Sequence, residues 1–183
     1  MKTIFIILGV LILSVFVYLG FYNAFYSPKF ELSDEGGETI VYQAVNDRYQ
    51  LTDSFMKQVF NELYEKNGIV ITKGIGLHEY DPALDEQKLT TLFAGCIVAD
   101  EDTASLARIK TSFTTGKTAY QEYIVSDFPL KGTMSLMFGM YKIYPKLNAY
   151  CTQNGYSTEE PVTEIYNRVD KKIHYRRKLV QVK

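Results

Sequence analysis

The first 24 residues, MKTIFIILGVLILSVFVYLGFYNA, constrain this chain more than any other stretch. After Lys2 no charge appears until Lys29, and the strongly apolar part runs from Ile4 to Phe21. As a helix rising about 1.5 Å per residue, that part spans roughly 27 Å. The hydrocarbon core of a bilayer is about 30 Å thick. The pattern predicts one transmembrane helix, with residues 1–28 as anchor and flank, and a body tethered to a membrane. A cleaved signal peptide shares the basic start but has a shorter apolar core and a small-x-small cleavage site. Here Phe21, Tyr22, Phe25 and Tyr26 crowd that zone, and aromatic residues suit the bilayer interface. Lys2 and Lys29 fall on opposite sides of the span, so the positive-inside rule leaves the side of the soluble body undetermined.

Residues 29–38 contain Ser33-Asp34-Glu35-Gly36-Gly37 and read as a linker. Residues 39–183 suit one domain with its own core. The net charge of −1 supplies no field to recruit nucleic acid, so no nucleic-acid partner is expected. Cys96 and Cys151 show no metal or redox spacing, and a disulfide between them stays open. His78 and His174 are too few and too far apart for a readable metal site, and neither metal nor cofactor is expected.

Two cycles of similar pattern follow. Residues 40–44 alternate as a strand. Phe55, Met56, Val59, Phe60 and Leu63 recur at helical spacing, capped by Thr52 or Asp53 and ended by Gly68. Residues 69–77 and 89–98 read as strands, with a turn across 81–86. In the second cycle, 118–126 reads as a strand. Leu136, Met137, Met140, Tyr141 and Tyr144 have helical spacing, with a kink or a fresh helix expected at Pro145. That segment ends at Asn154-Gly155, and 162–167 and 173–182 read as closing strands. The stretch from Asn61 to Gly68 lines up with that from Asn148 to Gly155, each closing a helix before a strand. A strand-helix-strand-strand unit used twice predicts an α+β domain with helices on one sheet face and a cleft as the natural ligand site.

Pro161-Val-Thr-Glu164-Ile-Tyr166 is the best candidate for chemistry. On a strand, Glu164 and Tyr166 share a face and Ile165 points the other way. If Ile165 packs under the helices, Glu164 and Tyr166 face away from them. A carboxylate among aromatics is costly to bury without a partner. Such a group attracts a cationic or hydrogen-bonding ligand, with aromatic faces adding cation–π attraction. A glutamate on a solvated sheet face is the plainer explanation. The basic run Arg168, Lys171, Lys172, Arg176, Arg177 and Lys178 suits either anionic lipid near the anchor or a solvated end strand.

The succession Asp127-Phe128-Pro129, Tyr144-Pro145, Gly155-Tyr156, Glu164-Ile-Tyr166 and Ile173-His-Tyr175 resembles the second half of a GyrI-like domain, also called the bacterial transcription activator effector-binding domain. Tyr42, Arg48-Tyr49 and the helix from Asp53 to Asn67 resemble its first half. The likeness covers Glu38 to Val182. With the apolar anchor and the Phe-Pro and Tyr-Pro positions, it narrows to membrane-anchored members that act in endoplasmic-reticulum phagy. Their long acidic tail has no counterpart in this sequence, and receptor function is not carried over.

The resemblance implies two βαββ (SHS2-like) modules in pseudo-twofold arrangement around a central cleft that binds amphipathic or cationic small molecules. It places Glu164 at the acidic pocket position, with Tyr166 beside it. Tyr49 takes the place of an aromatic that follows a Gly-Pro pair, here replaced by Asp47-Arg48. Tyr123 and Met137 are added as cleft walls from strand face and position. Three readings follow: a non-enzymatic small-molecule binder, a hydrolase of small electrophiles using Glu164 and a tyrosine, or a membrane-tethered module for a protein partner.

Overall fold

The computed structural model describes residues 2–80, 89–108 and 112–182. The turn expected at 81–86 lies outside them. Helix α1 (Lys2–Phe21) carries no buried residue and is long and apolar enough to cross a membrane. A signal sequence near an N-terminus shares that length and apolarity.

The body is an α+β domain built on one antiparallel sheet of eight strands. They are β1 (Glu31–Glu35), β2 (Thr39–Arg48), β3 (Ile71–Tyr80), β4 (Leu89–Val98), β5 (Thr114–Lys117), β6 (Gln121–Pro129), β7 (Val162–Asn167) and β8 (Lys172–Lys178). The helices are α2 (Thr52–Phe60), the short α3 (Thr103–Leu106) and α4 (Thr133–Asn154). The strand order is β1-β6-β8-β7-β3-β4-β2-β5. Each half therefore runs strand, helix, strand, strand, and the halves meet where β3 pairs with β7.

Both long helices lie on one face of the sheet. Helix α2, extended by a π-helical turn at Asn61–Glu65, buries Val59 and Leu63 against Val41, Cys96 and Val98. Helix α4 buries Ile143, Tyr144, Leu147 and Cys151 against Ile124, Phe128, Val162 and Ile173. Left-handed glycines end both: Gly68 at φ +67° and Gly155 at φ +72°. After α4 the Tyr156 amide reaches back to the Cys151 carbonyl at 2.9 Å, a Schellman closure. Ile40, Ile75, Ile97 and Ile165 make a smaller cluster on the opposite face.

Three expectations change, and one strand is new. Helix α4 continues through Pro145 as one helix; proline removes a single N–H, and its side chain is exposed there. Within the expected linker 29–38, Glu31–Glu35 pairs with β6 as an edge strand. Residues 114–117 form β5, which their polar sequence concealed. The basic run is split by the two faces of β8. Arg176 is buried against Glu38 at 2.8 and 3.1 Å, and Arg177 is buried beneath α4 on Asn148 at 2.6 Å. Cys96 and Cys151 are both buried and free.

Candidate functional site

Strand β7 lies at the junction of the two halves, with β3 on one side and β8 on the other. Strand alternation sends Val162, Glu164 and Tyr166 toward the helices, where Val162 and Tyr166 join the α4 core. Ile165 joins the isoleucine cluster on the far face. The expected assignment of faces is thus reversed: Glu164 lies between sheet and helices, because that face holds the larger apolar helix stripes.

Glu164 has no solvent exposure. Its Oε1 accepts a hydrogen bond from the Tyr144 hydroxyl at 2.9 Å. Its Oε2 accepts from Tyr49 at 2.9 Å and Tyr166 at 2.5 Å. Tyr49 comes from the turn before α2, Tyr144 from α4 and Tyr166 from β7, so both halves supply donors. Among the described residues its one ion-pair neighbour is His78, whose Nε2 lies 4.0 Å from Oε2.

Hydrogen accounting fixes the state of His78. The Thr52 hydroxyl donates to the Tyr49 carbonyl at 2.7 Å. Thr52 and Thr91 hydroxyls are 2.7 Å apart, so Thr91 supplies that proton. Thr91 then has only lone pairs to offer His78 Nδ1 at 3.1 Å, and Nδ1 carries the hydrogen. In the neutral ring Nε2 is a bare acceptor, without a hydrogen-bond partner among the described residues, facing a carboxylate. Burial pushes the His78 pKa down to about 3. Burial also pushes Glu164 up to about 6, opposed by the bonds from Tyr166, Tyr144 and Tyr49. Burial, followed by the Glu164 charge, raises all three phenols well above 10, so they remain neutral donors.

Glycines on β3 make the room. Gly74, Gly76 and His78 share the helix-facing side. A Cβ on Gly76 would meet His78 Nε2 at 2.6 Å, and one on Gly74 would meet the Met56 sulfur at 2.8 Å. Beside the nest lies a half-open cavity of about 430 Å³, with Met56, Phe60, Ile71, Gly74, Cys96 and Tyr166 in its wall. Tyr166 is thus both a wall of the cavity and a donor to Glu164. Burial pushes the Cys96 thiol up to about 12, so it behaves as wall.

Of the five residues singled out from sequence, Glu164, Tyr166 and Tyr49 meet. Tyr123 does not join them. It lies on the far face, where its hydroxyl donates to the Ala119 carbonyl at 3.0 Å and its ring stacks under Arg176 at 5.0 Å. There it borders a separate hollow of about 270 Å³. Met137 lies on the outer side of α4 and is 45% exposed. Tyr144, His78, Thr91 and Thr52 were missed. Tyr144 was legible only as one member of a helical stripe, and His78 as the third same-face position after two glycines. Among the described residues no group of three or more His, Cys, Asp or Glu could hold a metal ion.

Fold and site together define a class: an α+β domain whose two halves share a buried, tyrosine-held carboxylate beside a ligand-sized cavity. No protein-family model and no curated protein matches the chain. Among solved structures it is similar to the C-terminal domain of EcmrR, with a TM-score of 0.61 and 12% identity over 85% of this chain and 99% of that one. EcmrR in its DNA complex also aligns at 0.61, with 11% identity over 99% of this chain and 68% of that one. SAV2435 bound to tetraphenylphosphonium aligns at 0.49, with 14% identity over 83% and 94% of the two chains. The first two likenesses establish a shared fold. The third superposition is too loose to do so.

Proposed function

We propose that this chain is a membrane-anchored, GyrI-like binding domain. Two SHS2-like modules share a cleft that captures an amphipathic or cationic small molecule at Glu164. The observation that carries this reading is the electrostatic state of the nest. A fully buried carboxylate faces three neutral hydroxyls and the bare Nε2 of a neutral histidine, and among the described residues no lysine or arginine reaches it. A buried charge without a counter-charge is costly. A ligand bringing a cation beside Glu164 supplies the counter-charge that the carboxylate lacks. Tyr166 and Met56 line the cavity beside the nest, and capture displaces one of these side chains. Met is unbranched and moves readily. Tyr123 and Met137 take no part in this site. Helix α1 is the anchor.

The test is calorimetric titration of the full chain in lipid nanodiscs with tetraphenylphosphonium, after subtraction of empty nanodiscs. Loss of a desolvated charge pair costs 2 kcal/mol or more, so Glu164→Gln should weaken binding by at least about 30-fold. Equal affinity for variant and parent overturns the reading. A second reading, a hydrolase of small electrophiles, is favoured by the Glu164 pKa near 6, which suits a general base at neutral pH. Its signature is product formation that Glu164→Gln abolishes while the fold survives.

A further inference from the structure

We propose that the first half of α4 lies in the bilayer interface, so that the helix holding Tyr144 on Glu164 also touches the membrane. The inference rests on α1 being inserted in the bilayer, as proposed above. Four observations carry it.

First, the outward side of α4 is apolar where it should be polar. Met134, Met137 and Tyr141 follow the i, i+3, i+7 spacing of one helix face, with half-buried Phe138 beside them against the core. Met137 is 45% and Tyr141 50% exposed. Second, α4 contains Lys142 and Lys146 and neither Asp nor Glu, and Lys131 stands just before it. A Met and aromatic stripe edged by lysines is the pattern of helices that lie in a membrane surface rich in anionic headgroups.

Third, α1 ends beside the start of α4. Lys131 Nζ lies 5.0 Å from the centre of the Phe21 ring. A Cβ on Gly132 would be 3.5 Å from the Tyr22 ring. Fourth, the chain then climbs along α4 toward its C-terminal end. Tyr26 packs edge-on to Phe128 at 5.2 Å, Ser27 accepts from Lys146 at 3.4 Å, and Phe30 packs on Tyr150 at 5.4 Å. The first turns of α4 are therefore the ones held next to the membrane-spanning helix. An exposed apolar stripe elsewhere on the body would call for a protein partner; at the root of an inserted helix it has lipid beside it.

Tyr144, a donor to Glu164, follows the apolar stripe by one turn on the same helix.

Spin-label depth measurement on the full chain tests this. Nitroxides are placed at Met137→Cys and Tyr141→Cys, with Phe16→Cys in α1 and Lys57→Cys on α2 as references. Cys96 and Cys151 are buried and remain unlabelled. In vesicles of phosphatidylcholine and phosphatidylglycerol, the ratio of oxygen to nickel-chelate collisions at 137 and 141 should exceed that at 57 by at least about threefold. Lys131→Gln with Lys146→Gln should lower it. Water-like values at 137 and 141 with a deep label at 16 overturn the inference and leave the anchor standing. A water-like value at 16 overturns the anchor and the inference together. Labels at 137 and 141 shielded from both reagents identify a protein partner or a second copy, and that too overturns it.

Discussion

Glu164 carries an unusual sign for a carboxylate. Most folded carboxylates are held below their ordinary value by partners, and proteins then lose stability as pH falls. Here burial lifts the folded pKa from 4.5 to about 6, so the folded state binds the proton more tightly than the unfolded chain. The charged form is destabilising above pH 6. That cost is relieved as pH falls through 6 and is gone below about 4.5. The shift corresponds to about 2 kcal/mol. His78 acts oppositely, because the unfolded imidazole takes up a proton below its ordinary value of 6.5 and the buried ring does not. Comparing wild type with Glu164→Gln in urea unfolding, at pH 8 and at pH 5, largely cancels the histidine. Wild type should gain about 1 kcal/mol on the variant between those pH values, because at pH 5 the unfolded carboxyl is still mostly ionised. A constant gap would show that Glu164 ionises alike in folded and unfolded chains. Sequence alone could mark Glu164 as interesting, because a Glu two residues from a Tyr on an apolar strand is costly to bury. It could not supply Tyr49 and Tyr144, which lie 115 and 20 residues away and meet the carboxylate only through β3–β7 pairing and α4 packing.

Strand β3 shows why elements were easier to read than their purpose. Its length and alternation made it legible as a strand. The two glycines within it carry no side-chain signal, and they are what opens the site. Their requirements differ. At Gly76 a methyl group would press on His78 at 2.6 and 3.0 Å and on Thr52 at 3.3 Å, two side chains held through the hydrogen bonds of Thr91 and of the Tyr49 carbonyl. At Gly74 it would press on the Met56 sulfur alone below 3.4 Å, and a methionine can swing aside. Gly76→Ala should therefore lower stability by roughly 1–3 kcal/mol and Gly74→Ala by less than about 1 kcal/mol. Chemical denaturation of the two variants checks the order; a larger loss at Gly74 would mean that Met56 is the more tightly held. Helix ends were legible for the opposite reason. Gly68 and Gly155 have positive φ, a requirement written directly into residue type. Strands β1 and β5 were not, since polar edge strands have no buried face to betray them.

At the scale of the molecule, the repeat visible between Asn61–Gly68 and Asn148–Gly155 corresponds to equivalent places in the two halves, whose strand orders mirror each other about β3 and β7. The site is central because the halves meet there. The boundary between anchor and body was less legible. A charge-based reading starts the body after residue 38, because Lys29 to Glu38 is mostly polar. Packing starts it earlier. Tyr26 and Phe30 lie against the α4 core, and Glu31–Glu35 pairs with β6. Helix α1 itself has nothing buried. Removing residues 1–21 should then leave melting of the body essentially unchanged in detergent. Removing residues 1–30 takes away the ring on Phe128 and the ring on Tyr150. Each partly buried aromatic is worth about 1–2 kcal/mol, so the shorter fragment should melt roughly 5–15 °C lower. Circular dichroism melts of the two fragments decide the matter. Coincident melts would mean that the segment between helix and sheet rests on the body without stabilising it, and that the polar stretch is the true boundary after all.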